Sequence, residues 1–404
     1  MEHVTCCVAG GGPAGVMLGL LLARAGVRVA VLEKHDDFLH DFRGDTVHPS
    51  TLRLLDELGL GERFAALPRR ELTEMRMRIN GETVVAADFG RLRGRHPYIA
   101  MVPQWDFLEL LADAEPALDL RMGTEITGLR REHGRVTGVT YRDASGDGEL
   151  AADLVVACDG RDSVVRRAAG LRPREFPVPM DVWSVRVPAS PHAERDGRVF
   201  GVFGGGQAAV TMDRGDYFQT SYLIRKGDDA RLRAQGIEWF RERLGALFGW
   251  APDVLSVIRS WDDVKLLETT MGRLPRWYTD GLLCLGDAAH TMSPVGGVGV
   301  NLAVQDAVAA ARILAGPLLS GRVSTKDLAK VQKRREFPVR VIQRQQLGEH
   351  DMLLRPALDG TLTELPAPLR AVRRFPALAG VTAYLGGIGL RPEHAPAFAR
   401  PQGR

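Results

Sequence analysis

The chain has 404 residues, of which 45% are hydrophobic and 25% are charged, a composition typical of a globular protein with two or three domains. Lys and Arg number 53 against 50 Asp and Glu, and this net charge of +3 gives no support to nucleic-acid binding. The N-terminus lacks the pattern of a signal peptide, and no apolar run is long enough to span a membrane. We therefore expect a cytoplasmic protein without an integral membrane segment.

The first 33 residues have the pattern of a β-α-β unit. A buried strand is predicted over 4–9, a helix over 13–25 and a second strand over 27–33. Gly10, Gly12 and Gly15 lie between the first strand and the helix, where glycines allow a pyrophosphate to approach the backbone. Glu33 ends the second strand, where a carboxylate can accept the hydroxyls of a ribose. These features predict a dinucleotide site and leave NAD and FAD open.

The middle of the chain alternates between helices and strands. Helices are predicted over 49–59 and 104–114, and strand pairs over 72–89, around Asn80-Gly81, and 124–142, around His133-Gly134. A buried strand follows at 153–159. Alternating segments between 180 and 275 predict a largely antiparallel sheet, with a helix near 237–248.

Cysteine usage gives no sign of a disulfide framework. Cys6, Cys7, Cys158 and Cys284 lie in short apolar runs of the kind that form buried strands, and the chain contains no C-x-x-C motif. The histidines are scattered without carboxylates at metal-ligand spacing, so no metal site is expected.

A second glycine-rich segment distinguishes between the two dinucleotides. The strand predicted at 282–285 leads to Gly286 and Asp287, and a glycine loop then opens a helix over 299–315. Asp287 is suited to bind a ribityl hydroxyl. The helix N-terminus would face the pyrimidine edge of a flavin, where negative charge collects on reduction. This arrangement favours FAD.

The C-terminal region is predicted to be helical. A basic amphipathic helix covers about 323–355, interrupted at Pro338, and a proline-rich, partly helical tail extends to 404. The helix packs either on the first domain or on a second copy, so monomer and homodimer are both compatible with the sequence.

On these motifs the chain resembles the single-component FAD-dependent aromatic hydroxylases, the p-hydroxybenzoate hydroxylase superfamily. The segment CDGRDSVVR at 158–166 resembles the family's central signature, with Asp159 serving FAD and the pyridine nucleotide and Arg166 closing the motif. Arg43 matches an arginine near the flavin, Gln104 a residue bonded to the FAD chain, and Pro294 a proline at the flavin's reactive face. Because about 80 residues after the start of the basic helix are too few and too helical for a thioredoxin-like domain, the ubiquinone-type and polyketide-tailoring subgroups are the best match.

The resemblance implies an α/β fold in which a Rossmann-like FAD-binding domain is interleaved with a mostly antiparallel β-sheet substrate domain, followed by C-terminal helices. The expected bounds are 1–71, 101–175 and 276–320 for the FAD-binding domain, 72–100 and 176–275 for the substrate domain, and 321–404 for the C-terminal helical region.

The resemblance and the motifs together give a set of expected site residues. The expected FAD-binding residues are Gly10, Gly12, Pro13, Ala14, Gly15, Glu33, Lys34, Arg43, Gln104, Ile126, Asp159, Gly286, Asp287, Pro294, Gly297, Val298, Gly299, Val300 and Asn301. No general base is assigned, and Arg43 and Pro294 are the candidates for a catalytic role. His290 is interpreted as structural. Register within the sheet domain proposes Phe203, Met212 and Tyr222 for the substrate, with Phe218 and Trp183 as further candidates, although core packing is the better interpretation of each.

The implied activity is that of a monooxygenase. NADPH or NADH reduces FAD, dioxygen adds to form a flavin C(4a)-hydroperoxide, and an aromatic or polycyclic apolar substrate is hydroxylated. No second G-x-G-x-x-G follows a strand, so the pyridine nucleotide is expected to bind transiently. Residues 183–188 read WSVRVP, which lacks the second tryptophan of the halogenase signature and argues against halogenation. The alternative is a flavin-dependent dehydrogenase or reductase that inserts no oxygen.

Overall fold

The computed structural model describes residues 2–39, 46–189 and 199–401. Its largest sheet consists of β1 (Glu2–Ala9), β2 (Val29–Leu32), β8 (Asp119–Arg121), β9 (Glu125–Glu132), β10 (Arg135–Asp143), β11 (Gly146–Ala157), β19 (Tyr278–Thr279) and β20 (Leu282–Cys284). The order is β19-β20-β11-β1-β2-β8, and β10 and β9 continue antiparallel from β11. The central strands β20, β11, β1, β2 and β8 run parallel. Their apolar runs are buried because helices and loops cover both faces.

A second sheet of seven strands forms a separate layer. Its strands are β5 (Glu74–Ile79), β6 (Glu82–Asp88), β13 (Met180–Pro188), β14 (Val199–Gly204), β15 (Gln207–Asp213), β16 (Tyr217–Arg225) and β17 (Lys265–Leu267). The order is β17-β13-β16-β15-β14-β5-β6, and every pair except β14 with β5 is antiparallel. The β5–β6 turn occurs at Asn80 and Gly81, which both have positive φ, as the sequence predicted.

Two small sheets connect these layers. One contains β3 (Thr46–Val47), β4 (Arg70–Leu72) and β7 (Ile99–Met101), and the other contains β12 (Arg174–Phe176), β18 (Met271–Arg273) and β21 (His290–Thr291). In the second, β18 is the central strand and pairs antiparallel with both neighbours.

The α-helices of the described ranges are α1 (Pro13–Arg24), α2 (Pro49–Glu57), α3 (Gly61–Ala65), α4 (Gln104–Ala112), α5 (Val164–Ala168), α6 (Asp229–Arg233), α7 (Ile237–Phe248), α8 (Pro252–Leu255), α9 (Gly299–Leu319), α10 (Thr325–Glu349), α11 (Arg355–Asp359), α12 (Ala367–Arg374) and α13 (Leu378–Gly387). A π-helix, His350–Leu354, links α10 to α11. The expected α/β fold with a mostly antiparallel second sheet and C-terminal helices is confirmed.

The predicted break at Pro338 is wrong, because α10 runs without interruption through it. Proline costs the helix one backbone hydrogen bond, which is tolerated where tertiary contacts hold the helix in place. Pro338 and Val339 are buried where α10 packs against α9. The basic residues lie mainly on the opposite, exposed side. The helix therefore packs on the first domain.

Contrary to the expectation that no apolar run could span a membrane, the segment Val295–Leu319 has the length and hydropathy of a membrane span, but 72% of its most apolar stretch is buried inside the fold. This segment includes α9, which packs against α1 and the parallel sheet. A helix that is apolar on all sides and enclosed by its own protein is a core helix.

Candidate active site

The turn between β1 and α1 requires glycine at two positions. Gly10 has a φ of +96°, and a Cβ atom there would lie 2.7 Å from the carbonyl oxygen of Cys158 at the end of β11. A Cβ atom at Gly15 would lie 1.9 Å from the carbonyl oxygen of Gly10. Gly12 differs, because no protein atom lies within 4 Å of its Cβ position. Two glycines therefore close the turn, and Gly12 leaves its outer side open to a ligand.

Glu33 lies beside this turn at the end of β2 and is buried. Its Oε2 accepts a hydrogen bond from the amide of Gly11 at 2.6 Å, and its Oε1 contacts Nδ1 of His35 at 2.5 Å. The amide of Thr124 donates to the backbone oxygen of Glu33 at 2.7 Å. This contact brings the start of β9, with Ile126, to the same edge of the sheet, while Lys34 is exposed.

Asp159 lies next to the first turn, with its Cα 2.9 Å from the position of a Cβ on Gly10. Its Oδ2 accepts a hydrogen bond from the amide of Val165 at 3.1 Å, while its buried Oδ1 has no hydrogen-bond partner among the described residues. Burial raises the pKa of Asp159, because the charged form is poorly solvated there. This oxygen is therefore available to accept a hydrogen bond from a ligand or a water.

Arg166 connects the segment 158–166 to the turn at Gly286 and Asp287. Its guanidinium donates to the carbonyl oxygens of Ala288, at 3.1 Å, and Asp287, at 3.4 Å. Gly286 has a φ of +56°, and a Cβ there would meet Ala14 of α1 at 3.4 Å. The three motifs therefore converge on the start of α1.

The buried carboxylate of Asp306 holds the Gly286 turn in place. It accepts hydrogen bonds from the amide of Gly286 at 3.2 Å, from His290 at 2.6 Å and from Arg335 at 2.9 Å. Although burial by itself raises the pKa of this carboxyl, the charges and hydrogen bonds of His290 and Arg335 hold it below its ordinary value. His290 is therefore placed as a structural residue.

The flavin loop, defined here as residues 292–299, joins β21 to α9. Pro294 is exposed, Gly296 and Gly297 have positive φ, and the Cβ position of Gly299 faces open space. Val300, the second residue of α9, is partly exposed, while Val298 is buried. The loop therefore presents the N-terminus of α9 to a ligand across a surface almost without side chains.

Asn301 fixes the N-terminal turn of α9 to α2. Its buried Oδ1 accepts hydrogen bonds from Ser50 at 3.1 Å and Thr51 at 2.5 Å. The hydroxyl of Thr46 donates to the carbonyl oxygen of Gly297 at 3.3 Å. The segment that begins at Thr46 thus supports the flavin loop.

The residues of α10 that hold the flavin loop were not predicted from the sequence. Gln346 accepts from the amide of Ser293 at 3.1 Å and donates to the carbonyl oxygens of Ser293, at 3.0 Å, and Val295, at 2.8 Å. Gln343 donates to the carbonyl oxygen of Thr291 at 3.1 Å, and His350 contacts the hydroxyl of Ser293 at 2.9 Å. The available signal was the helical spacing of these polar residues on the face opposite the arginines.

Gln104 and Arg43 were also expected to contact FAD. Gln104 is buried at the start of α4, which packs against α1. Arg43 lies outside the described residues.

The seven-stranded sheet has two different faces. On its outer face Trp183, Phe218 and Tyr222 form a closed core with α7 and α8, and Tyr222 stacks on Trp183 with ring centroids 6.1 Å apart. On its inner face Phe203 packs beneath the C-terminal helices, in a cluster that also contacts Val295 of the flavin loop.

Strand alternation places Met212 on the inner face, where it is partly exposed. The expectation of a substrate role for Tyr222 is not supported by its position, and the same holds for Phe218 and Trp183. All three point away from the flavin loop because strand alternation turns them to the outer face.

The residues present fit FAD. The open sides of Gly12 and Gly299 leave room for a pyrophosphate and a ring system, and the orphaned oxygen of Asp159 supplies an acceptor between them. Among the described residues, no cluster of His, Cys, Asp and Glu has the arrangement of a metal site.

Comparisons with known proteins agree with this geometry. The family described as FAD binding domain matches residues 3–345. The chain is 34% identical to 6-methylpretetramide 4-monooxygenase of Streptomyces rimosus, over 87% of this chain and 85% of that protein. It is 32% identical to anhydrotetracycline monooxygenase of Streptomyces rimosus, over 74% of this chain, and the match spans 60% of that protein's length.

Among solved structures, P. aeruginosa PqsL in complex with 2-aminobenzoylacetate matches with a TM-score of 0.75 at 23% identity, over 90% of this chain and all of that one. At this identity the match supports the fold. The chain belongs to the FAD-binding domain family, as one of its FAD-dependent aromatic monooxygenases that use NAD(P)H and dioxygen.

Proposed function

We propose that this enzyme hydroxylates a flat, polycyclic aromatic compound of the polyketide kind, bound between the inner face of the seven-stranded sheet and the flavin loop. The observation that carries the proposal is the contrast between the two sheet faces. Trp183 and Tyr222 on the outer face are almost fully buried, whereas Met77 and Met212 on the inner face are partly exposed. The inner face therefore offers apolar surface that other protein groups do not fully cover.

The chemistry of this face favours an apolar aromatic ligand. Met75 and Met77 of β5 and Val210 and Met212 of β15 alternate onto it, and Ser221 of β16 adds a hydroxyl. Methionine side chains are flexible and polarisable, so they adapt to the edges of aromatic rings. Apolar lining with few polar groups is typical of small-molecule sites, in which those groups fix the orientation. The two curated relatives described above are named for polycyclic substrates, which supports the same class.

The expected FAD-binding residues enter the proposal with distinct tasks. The first turn, Gly10 to Gly15, would hold the pyrophosphate at the N-terminus of α1, with Glu33 on the ribose. Asp159 and Asp287 would bind the chain that leads to the ring system. When bound, FAD supplies the redox chemistry that transfers electrons from NAD(P)H to dioxygen.

The protein's own part in the reaction is electrostatic and steric. The first amides of α9 have no partner within the helix, so their dipoles stabilise negative charge beside Gly297 and Gly299. Gln346 and Ser293 keep Pro294 in place at the edge of the substrate space. The inner face excludes water from the reacting ring.

The test is substrate-stimulated oxidation of NAD(P)H by the FAD-loaded enzyme, with tetracyclic phenols and monocyclic benzoates in parallel. We expect stimulation by the tetracyclic compounds and incorporation of one atom of labelled dioxygen into the product. Faster turnover with benzoates would contradict the proposed substrate class. Product without label would contradict hydroxylation and favour a dehydrogenase.

A further inference from the structure

Two arginines face each other across the small sheet β12-β18-β21. Arg174 of β12 is the direct cross-strand partner of Arg273 of β18 in the antiparallel pair. Like charges in this arrangement destabilise a sheet. Both guanidinium groups lie over the ring of Phe176, with Cζ atoms 5.7 Å and 5.5 Å from its centroid. The two charges are therefore held together on one face of the sheet.

The arginines of this pair form no ion pair with a carboxylate among the described residues. Within the described ranges, neither Arg174 nor Arg273 has a carboxylate oxygen within 4 Å, and Arg340 of α10 has none either. Arg340 lies on α10 three residues before Gln343, which is bonded to Arg273. Burial lowers the pKa of Arg273; the charge of Glu336 acts in the opposite direction, and the charges of Arg340 and Arg174 lower the pKa. Glu336 instead accepts a hydrogen bond from Gln332 at 3.4 Å. The cluster is short of negative charge.

The cluster lies one strand away from the flavin loop. Arg273 is paired with His290 of β21, and β21 leads directly into Ser293 and Pro294. Gln343 joins the two regions, because it accepts a hydrogen bond from Arg273 at 2.5 Å and donates to the carbonyl oxygen of Thr291 at 3.1 Å. A ligand on the arginines is therefore adjacent to the segment that presents Pro294.

We propose that Arg174, Arg273 and Arg340 bind the phosphates of the pyridine nucleotide that reduces the flavin. This inference rests on the proposed function. The sequence contains no second G-x-G-x-x-G that follows a strand, so side chains have to bind the phosphates of this cosubstrate. Arginine suits that task because its planar guanidinium gives two parallel hydrogen bonds to a phosphate. The arginines bind and orient, and they take no part in the hydride transfer.

The experiment is anaerobic stopped-flow reduction of the FAD-loaded enzyme by NADH and by NADPH, with wild type and the double variant Arg174→Gln/Arg340→Gln. Arg273 is left unchanged because it is bonded to Gln343. We expect the apparent dissociation constant of the nucleotide to rise about tenfold or more, with an unchanged limiting rate and FAD content. The control is Arg142→Gln, which removes an exposed arginine paired with Asp147 on another sheet.

The two nucleotides distinguish which phosphate is bound. An equal loss of affinity for NADH and NADPH places the pyrophosphate on the cluster, and a loss confined to NADPH places the 2′-phosphate there. Affinity for both nucleotides that matches the Arg142→Gln control would overturn the inference and leave the proposed function intact. A wild-type enzyme that is reduced by dithionite but by neither nucleotide would overturn both.

Discussion

Replacement of Gln346 tests whether α10 holds the flavin loop. Gln346→Met keeps the length of the side chain and removes its hydrogen-bonding groups. The change leaves the amide and carbonyl of Ser293 and the carbonyl of Val295 without the partner they have in the structure. Gln346 and Ser293 are each 2% exposed, so water cannot readily replace the lost bonds. The variant therefore measures the stabilisation that α10 gives to the loop.

The expected cost follows from the number of unpaired groups. A buried polar group that loses its partner costs about 1–3 kcal/mol. Two groups at the buried Ser293 and one at the partly buried Val295 lose their partner. At the lower end of this range, about 1 kcal/mol for each group, the expected loss in the free energy of unfolding is about 3 kcal/mol. The FAD affinity should also fall, since a mobile loop must be ordered again when FAD binds. The expected fall is about tenfold for each ~1.4 kcal/mol spent on ordering the loop.

The assays are urea unfolding of the apoprotein and titration of the apoprotein with FAD, followed by flavin fluorescence. The matched control is Gln345→Met, one residue earlier on α10. Gln345 is exposed, and its side-chain partner among the described residues is Glu349 of the same helix, at 2.9 Å, so its loss should cost no more than about 0.5 kcal/mol. Equal stability and equal FAD affinity of the two variants would refute the role assigned to Gln346.

Three further tests address other parts of the site. Gly15→Ala should destabilise the apoprotein because its Cβ would lie 1.9 Å from a carbonyl oxygen. Gly12→Ala should leave thermal unfolding of the apoprotein unchanged and weaken only FAD binding. The reverse pattern would contradict the roles assigned to the two glycines. Because burial raises the pKa of Asp159 above its ordinary value of 3.8, its ionisation removes stability from the fold as the pH rises from that value through the raised pKa. Apo Asp159→Asn should therefore gain stability relative to wild type as the pH is raised above about 4 in unfolding experiments, while FAD binding weakens; a difference that does not change with pH would disprove this. Met212→Glu should abolish substrate-stimulated NAD(P)H oxidation and retain bound FAD, and Tyr222→Phe should change neither property. A greater loss of stimulated oxidation in Tyr222→Phe than in Met212→Glu would place the substrate on the outer face of the sheet.

The sequence alone determined the elements whose signals are local. The β-α-β unit with Gly10 and Glu33 was predicted because glycine positions, strand hydrophobicity and helix boundaries all depend on near neighbours. The hairpin at Asn80-Gly81 was predicted for the same reason, since both residues adopt the positive φ that such a turn requires. The helix that begins at Gly299 and the FAD family also followed from local motifs.

Only the tertiary structure decided which side chains meet across long separations. Gln346 and Ser293 are 53 residues apart, and Arg174 pairs with Arg273 across 99 residues, so neither contact has a local signature. The same limit applies to Tyr222, because a strand pattern shows that two faces exist and the packing of α7 decides which one is closed. Local chemistry determined the cofactor and the order of the elements, and long-range packing determined which face of the seven-stranded sheet is closed by helices.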